Sequence, residues 1–159
     1  MDVTDPITVS EINTANLLLI VVGAHLRAEI GDRPLANQLC DGIQQWLDGH
    51  TAELNNPFVP VVCCDVWYVN HKQLQCRPTI SLGGPGVNAL SAYYHHKLNN
   101  AFVRDEQMVI QLDPDFVDLR ACLWGMDHDT TVAVLDVFVQ KYLEPYLRAV
   151  ATQVEPMAE

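Results

Sequence analysis

Leu17-Leu18-Leu19-Ile20-Val21-Val22 is apolar at every position and stops at Gly23. A strand with one wet face would alternate apolar and polar residues. A strand that is apolar on both faces is covered on both, as in parallel sheets flanked by helices. Two similar runs follow. Val59 to Cys64 is rich in β-branched residues, and Thr79-Ile80-Ser81-Leu82 ends at Gly83-Gly84-Pro85-Gly86. Between the first two runs, Leu35, Leu39, Ile43 and Leu47 recur every four residues and form one helical stripe. Asp32 and Pro34 suit the start of that helix and Gly49 its end, which leaves residues 23–31 as a loop.

The later chain continues the alternation. Val87, Leu90, Tyr94 and Leu98 follow helical spacing, and Asn99-Asn100 closes that helix. Residues 108–112 and 119–124 read as strands, with Asp113-Pro114-Asp115 between them as a turn. Asp127 or Asp129 can cap a long final helix whose stripe is Leu135, Phe138, Val139, Tyr142, Tyr146 and Val150. Pro145 inside it requires a kink or a restart. Residues 65–77 read as a short helical crossover, a hairpin at Asn70-His71 being the alternative. The strand–glycine loop–helix arrangement at residues 79–98 resembles that of Rossmann-like domains.

These patterns predict an α/β fold: a three-layer sandwich around a mostly parallel, Rossmann-like sheet. One edge is antiparallel if residues 108–112 and 119–124 form a hairpin. Residues 1–16 read as an N-terminal arm, 17–151 as a single α/β domain and 152–159 as a frayed tail. A chain of 159 residues with 49% apolar and 18% charged residues has enough apolar material for one core.

Charge narrows the partners. Nine basic residues face 20 acidic ones, a formal net charge of −11, and no basic run exists to meet a phosphate backbone. Nucleic acid and anionic membranes are therefore disfavoured. Eight acids lie between Asp105 and Asp136 against the single base Arg120, which reads as a solvated acidic face. The longest apolar run, residues 17–24, is far short of the roughly 20 residues of a membrane helix. The N-terminus lacks a secretory pattern. Five cysteines without a C-x-x-C pair fit a reduced, cytoplasmic setting.

In open α/β sheets, ligands bind beyond the carboxyl ends of the strands. That rule selects His25 and Arg27 after the first strand, Asp65 after the second, Gly83, Gly84, Gly86 and Asn88 after the third, and Asp127, His128 and Asp129 after the last. The glycine loop departs from both the dinucleotide fingerprint and the Walker loop. It leads into a helix whose free N–H groups suit an anion. Arg27 can pair with a phosphate or carboxylate, or with Glu29 instead. Asp65, Asp127 and His128 are candidate acids or bases, and Cys64 is a candidate nucleophile. His25 is a further candidate acid or base. No metal site is expected. Asp113, Asp115 and Asp118 lack the glycine and distal Glu of a calcium loop, and the adjacent His95 and His96 diverge by about 100° on a helix.

The expected function is binding of a small anionic ligand near residues 83–86. The alternatives are an enzyme using Asp and His at the same rim, and a non-catalytic module that self-associates or binds a partner. The cofactor is left unknown.

Overall fold

The computed structural model describes residues 14–54 and 57–153. Most of the expected arm, the loop residues Asn55 and Asn56 and the last residues of the expected tail lie outside the described residues. The sheet has six strands: β1 (Leu17–Val22), β2 (Val59–Cys64), β3 (Thr79–Leu82), β4 (Asn100–Arg104), β5 (Met108–Gln111) and β6 (Arg120–Gly125). They lie in the order β2-β1-β3-β6-β5-β4. The first four in that order are parallel, and β5 and β4 add antiparallel pairs.

The two-sided apolar character of β1 is explained by what lies on each face. Leu18, Ile20 and Val22 pack with α1 (Leu26–Gly49), α4 (His128–Lys141) and α5 (Leu143–Gln153). Leu17, Leu19 and Val21 pack with the layer of α2 (Asp65–Val69), a 3-10 turn at Lys72–Leu74 and α3 (Ala89–His95). The result is a three-layer α/β sandwich with a mostly parallel sheet, and residues 65–77 form the helical crossover. Among the described residues no helix is long and apolar enough to cross a membrane.

Three elements differ from the sequence reading. Helix α1 starts at Leu26, six residues before Asp32, and His25 caps it by accepting the Arg27 N–H on Nδ1 at 3.1 Å. The core stripe continues backwards through Asp32 and Ala28, and Ala28 is fully buried. Pro34 therefore lies inside the helix, where it offers no N–H to the Ile30 carbonyl four residues back. Strand β4 is not announced by periodicity, because it is a short edge strand with mostly exposed side chains. The 108–112 and 119–124 strands do pair antiparallel, but β4 covers them, so their pairing is internal rather than at the edge. Pro145 acts by restart: α4 stops at Lys141, and α5 begins at Leu143 with the proline in its first turn.

The β4–β5 turn carries strain. Asp105 and Glu106 both have left-handed backbone, with φ of 53° and 57°, and Gln107 N–H closes the turn on the Arg104 carbonyl at 2.9 Å. Asn-Gly is the preferred pair where both central residues need positive φ. Asp105→Asn together with Glu106→Gly should stabilise the fold by about 1 kcal/mol. The midpoint of urea unfolding reads this, and an unchanged or lower midpoint would show the turn to be unstrained.

Candidate functional site

Strands β1, β2, β3 and β6 point their carboxyl ends the same way, so the loops that leave them share one rim. A single buried carboxylate holds three of these connections. Asp65 is 5% exposed, and its oxygens accept the N–H groups of Ala24 at 3.0 Å, Val66 at 2.7 Å and Ala89 at 2.7 Å. It thereby ties the β1–α1 loop, the start of α2 and the start of α3. Asn88, 1% exposed, completes the lock. Its amide donates to the Val21 and Leu82 carbonyls, both at 3.1 Å. Its oxygen accepts the N–H groups of Leu90 and Ser91. A Cβ at Gly23 would run into the Val87 carbonyl, so the loops can close only around a glycine there.

This lock changes the meaning of the glycine loop. The N–H groups at the start of α3, which the sequence offers to an anion, are already taken by Asp65 and Asn88. Asp127 is engaged in a similar way. It caps α4, accepting the Thr130 N–H at 2.8 Å, and the backbone and hydroxyl of Thr130 hold its carboxyl below the usual range. Cys64 is half-buried at the end of β2 and does not line the cavity described below. Burial pushes the neighbouring Cys63 thiol up to about 12. His25 is exposed, serves as the α1 cap and also stands outside the lining.

The loops leave a cavity of about 820 Å³ above β3 and β6. Helix α1 lines it with Arg27, Ile30, Gly31 and Asp32, the glycine loop with Gly84, Gly86 and Val87, and the β6–α4 connection with Met126, Asp127 and His128. Of the residues picked from sequence, the structure thus brings Arg27, Gly84, Gly86, Asp127 and His128 together. Gly83 stands directly behind them. Its φ is +113°, and a side chain there would strike the Asp32 carboxylate.

Three ionisable side chains in this lining are unengaged. Among the described residues, Arg27, Asp32 and His128 have no side-chain hydrogen bond and no ion pair. Glu29, the partner expected for Arg27, instead takes Arg33 one turn on, with Nε–Oε1 of 3.0 Å. Asp32 is half-buried, and loss of hydration raises its carboxyl from 3.8 to about 6, against the pull of His128 and Arg27. The walls are apolar: Ile30 is 71% and Met126 62% exposed, with Trp124 beside them. No group of His, Cys, Asp and Glu side chains among the described residues is placed to hold a metal ion.

Asp32, Ile30 and Trp124 are the residues that sequence reasoning missed. Asp32 was detectable, because it falls in the stripe Ala28-Asp32-Leu35-Leu39, where an acid in a core row is out of place. No protein family, curated protein or solved structure matches this chain, and the site rests on its own geometry.

Two outcomes check this geometry. Asp65→Ala removes the acceptor of three part-buried N–H groups and should cost about 2 kcal/mol in urea unfolding. A loss below about 1 kcal/mol would mean that packing alone holds the rim. Asp32 should behave in the opposite way. Folding raises its carboxyl, so the folded chain keeps the proton to higher pH and stability falls as the pH climbs from 3.8 to about 6. Asp32→Asn should therefore be more stable than the parent at neutral pH, by about 1 kcal/mol after allowing for solvent access, and equal to it below that window. Unfolding curves at both ends of the window decide this, and a variant that is less stable at neutral pH would contradict it.

Proposed function

We propose that the chain binds a small anionic molecule in the rim cavity, with the Arg27 guanidinium as the principal cation and His128 as a second donor. The observation that carries this reading is the set of unengaged ionisable side chains around one cavity. Asp32 is half-buried without a partner, and the exposed Arg27 and His128 converge with it on one concave surface, which supports a ligand there. Gly84 and Gly86 allow close backbone approach on the facing wall. The net charge of −11 favours a small molecule over a phosphate polymer.

Acid–base catalysis at the same rim is a second reading, and Asp32 is the observation that favours it. A carboxyl near pH 6 can both take and give a proton around neutrality. In this reading Asp32 and His128 act in place of Asp65 and Asp127, whose oxygens hold backbone N–H groups. Full turnover by Asp32→Asn of a substrate bound in the cavity would remove it.

Thermal unfolding against a panel of carboxylates, amino acids, sugar phosphates and nucleotides tests the binding reading. A ligand present at about 100 times its dissociation constant should add about 2.7 kcal/mol, a shift of several degrees in Tm. The shift should vanish in Arg27→Ala. A panel without a hit, or a hit indifferent to Arg27, would overturn the assignment.

A further inference from the structure

The charges in the cavity are of both signs, and they are held apart. Arg27 and Asp32 stand five residues apart on α1. On a helix that spacing means about 7.5 Å of rise and roughly 140° of rotation, so the two groups leave the helix in different directions. Asp32 lies on the stripe that faces the sheet, with its carboxylate against Gly83, whereas Arg27 lies on the flank that opens to the cavity. They feel each other's charge but form no ion pair. A ligand with one negative group meets Arg27 favourably but leaves the Asp32 carboxylate unanswered, with the Asp127 carboxylate also in the lining. A dianion such as phosphate is opposed by both. A molecule with a cation and an anion a few ångströms apart satisfies Arg27 and Asp32 together and adds no net charge to a chain already at −11.

The remaining wall sets the rest of the ligand. Ile30 and Met126 present large exposed side chains to the cavity, and Trp124 and Val87 close its apolar side. A bound apolar group would cover this surface and be stabilised by leaving water.

We infer that the cavity takes a free α-amino acid with a large apolar side chain, its carboxylate on Arg27, its ammonium on Asp32 and its side chain against Ile30, Trp124 and Met126. This assignment rests on the anion site proposed above and adds the second charge and the apolar group to it.

Calorimetric titration near neutral pH with three probes of the same ring and chain length separates the contributions. L-Phenylalanine carries both charges, 3-phenylpropanoate only the carboxylate and 2-phenylethylamine only the ammonium. Phenylalanine should bind at least about tenfold more tightly than either of the others. Asp32→Asn should bring phenylalanine down to the level of 3-phenylpropanoate while leaving 3-phenylpropanoate as tight or tighter. Arg27→Ala should abolish the binding of 3-phenylpropanoate. Equal affinity of the unsubstituted protein for phenylalanine and 3-phenylpropanoate would overturn the amino-acid assignment and leave the anion site intact. If neither carboxylate binds at about millimolar concentration, the anion site falls with it. The probe comparison in the unsubstituted protein decides the matter without any variant.

Discussion

The Asp65 carboxylate, closed off from water, accepts three backbone N–H groups from three separate connections. Charged acceptors make the stronger class of hydrogen bond, and an N–H buried without an acceptor carries a penalty of its own. The rim of the sheet is therefore fixed from inside the protein. Asn88 extends the same principle by bonding the ends of β1 and β3 and the first turn of α3 at once. With these backbone donors taken, the polar groups left free at the rim are side chains, and Arg27, Asp32 and His128 line one cavity.

This division explains which parts of the site were legible in the sequence. The uniformly apolar β1, the β-branched β2 and the glycine-terminated β3 mark parallel strands, and the rule about carboxyl ends then selects the rim on which the cavity lies. The rule cannot say which rim residues serve the scaffold. Asp65 and Asn88 look from sequence like free polar groups at strand ends, because a residue that caps and a residue that reacts are spelled alike. Only the path of the loops, brought together by the close approach of Gly23 to Val87, shows that their oxygens are taken. The start of α1 was illegible for a related reason. Gly31 and Pro34 oppose a helix locally, yet Ala28 and Leu35 are buried on the same stripe, and tertiary packing outweighs the local preference. That extension brings Arg27 and Asp32 onto one rigid element. Strand β4 escaped because an edge strand with mostly exposed side chains has no core row to betray it.

The acidic stretch shows the contrast most clearly. Asp113 accepts the N–H groups of Asp115, Val117 and Asp118. Asp118 in turn holds Arg120 at 2.7 Å, and Asp127 caps α4. Each has local partners that favour its charged form, and each carboxyl is accordingly held below its usual range. Asp32 is the reverse case. It has lost hydration and gained no hydrogen bond, so its charge is disfavoured where the others are supported. These three acids of the run serve the scaffold, whereas the acid that stands out in the structure is an isolated one in an apolar stripe.

An unsupported half-buried carboxylate lowers the stability of the folded state at neutral pH. Asn or Ser at the same place would avoid the cost of the charge, and Gly83 leaves room for either. A destabilising group held on a rigid helix, beside a free Arg and a free His and facing a cavity, is the pattern expected where a protein trades stability for a prepared site. A ligand that supplies a hydrogen-bond donor to Asp32 would return the missing interaction on binding. The same carboxylate that weakens the empty fold would then strengthen the occupied one, which couples the stability of the α1 N-terminal turns directly to occupancy of the cavity.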